Sequence, residues 1–114
     1  MANNYVTALV LSMHFEEAKS VLRRMLPVAR RVFDDSDDIT LRIRWNYATA
    51  LYKDPAATLD DVREAVTTFE ETERIARRVL GGAHPLTTVI ERALQNARAV
   101  LRVREAGKRV IFST

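Results

Sequence analysis

Residues 4–10 read NYVTALV and residues 46–52 read NYATALY, so the chain carries nearly the same short stretch twice. Five of the seven positions are identical, and the copies are 46 − 4 = 42 residues apart. A repeat of this kind predicts a structural unit that is used more than once, with each copy packed against its neighbour in the same way. The stretch therefore predicts a repeat architecture.

The similarity continues after each copy of the motif. Residues 15–35, FEEAKSVLRRMLPVARRVFDD, resemble residues 62–82, VREAVTTFEETERIARRVLGG. The Glu-Ala pair at 17–18 recurs at 64–65, a step of 64 − 17 = 47 residues. The five additional residues fit the linker KDPAATLDD at 53–61. The chain thus repeats a pair of elements, and the linker absorbs the difference in length.

Composition indicates that these elements are helices. The 114 residues suit one domain, and only three Gly and three Pro are present, whereas the helix-forming residues Ala, Leu, Arg and Glu are abundant. We therefore predict an all-α fold of about five helices. The net charge is +3, and 15 of the 18 basic residues are Arg, but acidic residues are interleaved with them and disfavour a one-signed nucleic-acid face. The absence of Cys excludes disulfides, thiolate nucleophiles and Cys-based zinc sites.

Capping signals and apolar spacing predict the helix boundaries. Apolar residues at three-and-four spacing predict an amphipathic helix from Phe15 to Val32, with a kink at Pro27. The next helix is expected to be capped by Asp37 or Asp38 and to end before Pro55. The one after it is expected to begin with a capping-box-like start near Thr58 and to end with a left-handed stop at Gly81-Gly82. A last helix is expected from Pro85 to about Glu105.

These boundaries divide the chain into a helical domain over residues 1–106 and a tail over 107–114. The domain comprises repeats at about 3–35 and 38–82 and a capping helix at 85–105. The tail contains Val110, Ile111 and Phe112, which are unusual in a solvated terminus. They fold back over the last helix as a cap, form an assembly contact, or belong to a disordered end.

The run NYVTALVLSMHFEEAKSVL at 4–22 resembles the tetratricopeptide pattern, in which a helix with a small central residue precedes an aromatic-x-x-Ala helix. The 42-residue step and the junction RRVLGGAHPLT at 77–87 resemble the kinesin light chain type of repeat. The first junction, RRVFDDSDDIT at 30–40, has acidic residues in place of the Gly, His and Pro. The resemblance covers about residues 3–105, some 2.5 repeats, and implies a right-handed α-solenoid of antiparallel helix pairs.

Tetratricopeptide arrays line a concave groove with the first helix of each pair and bind a peptide or a partner helix there. By position, the resemblance implies a groove that is lined by Asn4, Thr7, Arg42, Trp45, Asn46 and Thr49. An Asn side chain suits a peptide backbone, since it both donates and accepts hydrogen bonds. The alternatives are that Asn4 and Asn46 hold adjacent helices together and that Trp45 is a core residue.

The sequence offers no recognisable catalytic or cofactor motif. Two isolated His residues make no metal site, and His84 is expected to cap or wedge a helix junction. The start of the chain has no signal-peptide pattern and no segment resembles a membrane span, so a cytoplasmic location is expected.

The function expected from the sequence is protein–protein interaction without catalysis. The alternative is a structural subunit that docks through its exposed end helices and apolar tail into a larger complex or a homo-oligomer. The arginine pairs at 23–24, 30–31 and 77–78 raise a third hypothesis, a basic stripe for nucleic acid, although a solvated face is the favoured interpretation.

Overall fold

The computed structural model describes the backbone of residues 14–113 and the side chains of residues 14–107. This part of the chain forms α-helices and contains no strand, so the predicted all-α class is confirmed. The helices, in chain order, are α1 (Phe15–Phe33), α2 (Asp38–Lys53), α3 (Leu59–Leu80) and α4 (Pro85–Ser113). The predicted helix that carries the first copy of the motif lies outside the described residues.

Helix α2, which carries the second copy of the motif, begins and ends where capping chemistry places it. Asp37 is its N-cap, and the carboxylate accepts a hydrogen bond of 2.9 Å from the backbone N–H of Ile39. The helix ends at Lys53, and the Asp54 carboxylate accepts a hydrogen bond of 2.9 Å from the N–H of Ala56 in the linker. The predicted cap and the predicted stop before Pro55 are both confirmed.

Helix α3 begins with a complete capping box. The Thr58 hydroxyl accepts a hydrogen bond from the N–H of Asp61, whose carboxylate accepts one from the N–H of Thr58. The helix that follows starts at Pro85, where His84 caps it by accepting a 3.0 Å hydrogen bond at Nδ1 from the N–H of Leu86. The predicted helix starts and the junction role of His84 are confirmed.

The junctions after α1 and α3 share one backbone conformation. Gly81 has φ 90° and ψ 155°, and Asp34 has φ 77° and ψ 160°. The two residues are 81 − 34 = 47 positions apart, which is the repeat step seen in the sequence. The predicted stop at Gly81 has the expected positive φ, but its ψ is extended and not that of a left-handed helix. The junction geometry therefore repeats although the Gly does not.

Asp34 pays a conformational cost that Gly81 avoids, because this region of φ and ψ is nearly restricted to glycine. We expect Asp34→Gly to raise the free energy of unfolding by about 1 kcal/mol, measured by urea denaturation. Ser36→Gly in the same turn is the matched control and should stabilise nothing, because positive φ among the described non-Gly residues is confined to Asp34. Equal effects of the two substitutions would contradict the strain at Asp34.

Helix α4 is longer than the sequence predicts. The expected end near Glu105 is wrong, because the helical backbone continues through Gly107 to Ser113. A glycine inside a helix costs about 1 kcal/mol relative to alanine, which weakens a helix without ending it. Residues 107–113 are therefore helical in the region that the sequence predicts as a tail, while the side chains of Val110, Ile111 and Phe112 lie outside the description.

The helices pack in chain order, each against the next, and α2 also contacts α4. Within the described residues α1 contacts α2 but neither α3 nor α4, so the helices do not close into a four-helix bundle. One core cluster lies between α1 and α2 around Leu22 and Ile43. The other joins α2, α3 and α4 around Phe69 and Ile90.

Burial repeats with the same 47-residue step. Every buried residue of α1, moved forward by 47 positions, coincides with a buried residue of α3. The five pairs are Phe15 and Val62, Ala18 and Ala65, Lys19 and Val66, Leu22 and Phe69, and Ala29 and Ala76. The two helices thus present the same face to the core, although they do not touch each other.

Candidate functional site

A shallow groove separates α2 from α4 on one side of the molecule. Both helices pack against α3, and α2 also contacts α4. The groove is lined on the α2 side by Trp45, Thr49, Tyr52 and Lys53 and on the α4 side by Val89, Arg92, Ala93 and Asn96.

Three of the predicted groove residues occupy one face of α2. Arg42, Trp45 and Thr49 follow at spacings of three and four, which places them along one side of a helix. Lys53 comes four residues later and continues the same line. The structure places Trp45 and Thr49 in the groove lining and adds Lys53 to them.

The residues that α4 contributes were not identified from the sequence. The available signal was the 47-residue step that relates α1 to α3. Added to three predicted groove positions of α2, this step gives 42 + 47 = 89, 45 + 47 = 92 and 49 + 47 = 96. The residues at these positions are Val89, Arg92 and Asn96, and all three line the groove. The sequence of α4 differs too much from that of α2 for this alignment to be apparent, because none of these three residues resembles its counterpart in α2.

The size of the groove limits what it can hold. Its volume is about 170 Å³, whereas pockets for small-molecule ligands usually measure about 300 to 1,000 Å³. A space of this size suits one or two side chains of a larger ligand that lies across the helices. The geometry favours a peptide or a protein segment over a free metabolite.

The rim of the groove is positively charged. Lys53 and Arg92 are exposed on opposite sides of the groove, and neither forms an ion pair within the described part of the chain. The lining contains no carboxylate. By contrast, Arg98, further along α4, is paired with Glu70 at 2.9 Å. The groove therefore leaves two cations available to an acidic ligand.

Arg42 lies outside the groove lining and already has a partner. Its Nε donates a 2.8 Å hydrogen bond to the Asp38 carboxylate one turn earlier, and both side chains are about half exposed. An exposed pair of this kind contributes about 0 to 1 kcal/mol, so a ligand carboxylate could replace Asp38 at little cost. The predicted role of Arg42 in binding stays a prediction.

The other sequence candidates occupy different environments. Asn46 is only 4% exposed, so a ligand in the groove does not reach its side chain in this arrangement. Trp45 is half-buried and packs on the core cluster of α2, α3 and α4 while it also lines the groove. Thr49 is buried, and its hydroxyl donates to the Trp45 carbonyl at 2.8 Å. Asn4 and Thr7 lie outside the described residues.

One lining residue of the groove, Tyr52, packs on an aromatic residue of the core. The rings of Tyr52 and Phe69 meet edge to face, with their centroids 5.8 Å apart. Burial raises the pKa of Tyr52, and a hydrogen bond with the Asn96 side chain only partly opposes this effect. Tyr52 is therefore a neutral phenol at physiological pH.

The arginine pairs of α1 and α3 are largely engaged with other groups. Arg23 donates to the Tyr47 hydroxyl at 3.4 Å and lies over its ring, Arg30 pairs with Asp35 at 3.1 Å, and Arg77 pairs with Glu73 and Glu91. The ion pairs of Arg30 and Arg77 offset part of the positive charge, while Arg31 and Arg78 stay exposed, which fits the interpretation as a solvated face. Nucleic-acid binding through them stays an untested hypothesis.

A second hollow lies at the start of α1, with a volume of about 430 Å³. Its acidic residues are already engaged, because Lys19 contacts both Glu16 and Asp54, and Asp54 also accepts from the N–H of Ala56. We therefore do not assign a ligand to it, although it is the larger space.

Three further findings concern metal binding, membrane spans and similarity to known proteins. Among the described residues, no group of three or more His, Cys, Asp or Glu is arranged to hold a metal ion. No helix in the same part of the chain has the length and apolar character needed to cross a membrane. No protein-family model, curated protein or solved structure matches this chain.

Proposed function

We propose that the chain is a non-enzymatic protein-interaction module of the tetratricopeptide type, of right-handed solenoid architecture, that binds a peptide or partner helix in the groove between α2 and α4. A cytoplasmic location belongs to the same proposal. The observation that carries it is the 47-residue step, which relates the sequences of α1 and α3, the junctions that follow them and their buried faces. The same step relates Trp45 to Arg92 and Thr49 to Asn96 across the groove. A module that repeats in this way uses its equivalent helices to form one continuous surface.

The chemistry of the groove specifies the kind of ligand. Trp45 supplies a flat apolar contact, and aromatic residues of this kind often contribute a large share of binding free energy at interfaces. Lys53 and Arg92 flank it as cations without ion-pair partners in the described chain, and Asn96 adds an amide. We therefore propose a ligand segment that combines an apolar side chain with one or more carboxylates.

A peptide-display selection on the wild-type protein tests this proposal, because such a selection requires no candidate partner. We expect the selected peptides to be enriched in Asp and Glu beside one large apolar residue. The double variant Lys53→Glu/Arg92→Glu should weaken the binding of a selected peptide by at least about 10-fold, because it replaces two attractive contacts with repulsive ones. Fluorescence anisotropy measures the change.

The matched control carries the same charge change on another face. Arg31→Glu/Arg78→Glu alters two exposed arginines of α1 and α3 and should leave peptide affinity within about 2-fold of wild type. If both double variants weaken binding equally, the net charge of the protein and not the groove governs the interaction. If the selected peptides show no acidic enrichment, the proposed ligand chemistry is wrong.

A further inference from the structure

The second half of α4 extends beyond the helix that lies beside it. Helix α2 ends at Lys53, which lines the groove together with Asn96 of α4. From residue 97 to Ser113, α4 therefore continues for about 25 Å past the end of α2. On its inner side this segment is held by the start of α3 and the preceding linker, through Arg104 to the Ala57 carbonyl at 2.7 Å and Glu105 to Arg63 at 3.6 Å.

The outer side of this segment is apolar and has no partner within the described chain. Ala99, Val103 and Ala106 follow at spacings of four and three, so they form one line along the helix, and all three are exposed. Val103 is 73% exposed, more than any other large hydrophobic residue described. A depression of about 260 Å³ lies beside it and is lined by Ala99, Val100, Val103 and Arg104. We call this surface the α4 outer face.

The residues of the α4 outer face suit a helix better than a lipid surface. Alanine and valine are short, so a second helix can approach α4 closely and insert its own larger side chains between them. Interfacial membrane helices instead present bulky residues such as Trp, Phe and Leu on their apolar side. The shape of the face therefore favours helix-on-helix packing.

Charge identifies the kind of helix. Beside the α4 outer face, Arg102 is exposed without an ion-pair partner in the described chain and Arg104 lines the depression, whereas Arg98 is paired with Glu70. A second copy of α4 on this face would place like charges against each other, which opposes a symmetric dimer. A helix with acidic residues on both sides of an apolar seam would complement the surface.

We infer that the α4 outer face, composed of Ala99, Val103 and Ala106 with the core-packed Val100 at its edge, is a docking site for an acidic amphipathic helix of a partner protein. The α4 outer face continues the side of α4 that lines the groove, because Ala99 and Val103 follow Arg92 and Asn96 by seven residues each. The inference does not depend on the proposed function. It also names a specific binding partner for the alternative function, in which the chain docks into a larger complex through its end helix.

The test uses two synthetic helical peptides of about three heptads, with Leu at the seam positions. One carries Glu at the flanking positions and the other carries Lys. Fluorescence anisotropy with the full-length protein should detect the Glu peptide with a dissociation constant on the order of tens of micromolar and should detect no binding of the Lys peptide. Val103→Glu should weaken binding of the Glu peptide by at least about 10-fold.

Two controls locate the binding site. Thr88→Glu adds the same charge to an exposed position in the first turn of α4 and should bind the Glu peptide as the wild type does. Lys53→Glu, on the α2 side of the groove, should also retain binding, because the docking face is formed by α4 alone. If this groove variant abolishes binding and Val103→Glu does not, the peptide occupies the groove and the inference fails.

Other outcomes would also overturn the inference. Equal binding of both peptides would remove the role of charge, and absence of binding by either would remove the docking site. Cosedimentation with vesicles of phosphatidylserine and phosphatidylcholine that is lost in Val103→Glu, without peptide binding, would assign the face to lipid. A Val103-dependent dimer in analytical ultracentrifugation that the Glu peptide does not displace would assign it to a second copy of the chain.

Discussion

Phe69→Ala should lower the free energy of unfolding by about 3 to 5 kcal/mol. Phe69 lies in the middle of α3, is fully buried and packs edge to face on Tyr52 of α2. Its replacement removes the aromatic contact and leaves a cavity between α2, α3 and α4, which the surrounding helices can fill only in part. A domain of this size has a total stability of about 5 to 15 kcal/mol, so the variant loses a large share of it. Urea denaturation followed by circular dichroism measures the change.

The repeat supplies a matched comparison for this substitution. The equivalent position in α1 is Leu22, which is also fully buried, so the architecture accepts leucine there. Phe69→Leu should therefore cost only about 1 kcal/mol. Val79→Ala, at a half-exposed position of the same helix, should change the stability by less than about 0.5 kcal/mol. A cost for Phe69→Ala no larger than that of Val79→Ala would contradict the assignment of Phe69 to the core.

The sequence predicted those parts of the fold that local chemistry determines. The starts of α2, α3 and α4 depend on Asp37, Thr58 and Pro85, and each acts through hydrogen bonds or φ restriction within about one turn of itself. The end of α4 was not predictable in this way. Gly107 weakens a helix, but whether the helix stops is decided by the sum over all its residues, and the backbone continues to Ser113.

The candidate site was only half predictable, for a reason that concerns packing. Helical spacing placed Trp45 and Thr49 on one face of α2, and the structure finds both of them in the groove lining. Asn46 is buried because neighbouring helices cover its side of α2, and helical spacing alone cannot show which side is covered. The opposite wall required an alignment of α4 with α2, and Arg92 bears no similarity to Trp45 that would have shown it.

The linker between α2 and α3 is tied to α1 by a buried ion pair. Lys19 is 5% exposed and Asp54 is 8% exposed, and their charged groups are 3.3 Å apart. The N–H of Ala56 lowers the pKa of Asp54, burial opposes this, and the contact with Lys19 lowers it further. Burial lowers the pKa of Lys19, but the hydrogen bonds and charges of Glu16 and Asp54 outweigh it and raise the pKa.

These shifts determine where on the pH scale the pair stabilises the fold. Because the pKa of Asp54 is lower in the folded protein, its contribution is complete above the unfolded value of about 3.9 and is lost as the pH falls through the folded value. Because the pKa of Lys19 is higher in the folded protein, its contribution is complete below about 10.4 and is lost as the pH rises through the folded value. Both contributions are therefore present between about pH 5 and pH 9.

We expect Asp54→Asn to lower the free energy of unfolding at pH 7 by about 1 to 3 kcal/mol. The Asn amide can still accept the hydrogen bond from the N–H of Ala56, so the loss of stability reports the removal of the charge alone. Lys19 keeps its contact with Glu16 at 2.6 Å, so the loss should be smaller than that of a buried cation with no partner. Asp54→Ala should cost about 1 kcal/mol more, because it also removes the acceptor for Ala56.

The pH dependence distinguishes an ion pair from simple packing. In urea titrations from neutral pH down to about pH 2, the difference between wild type and Asp54→Asn should shrink below about pH 4, as the wild-type carboxylate takes up a proton and loses its advantage. Asp60→Asn, at a highly exposed carboxylate that pairs with Arg63, should change the stability by less than about 1 kcal/mol at any pH. If the difference in the free energy of unfolding between wild type and Asp54→Asn stayed constant down to the lowest pH, Lys19 and Asp54 would stabilise the fold by packing and not by their charges. The connection of the linker to α1 would then rest on packing alone.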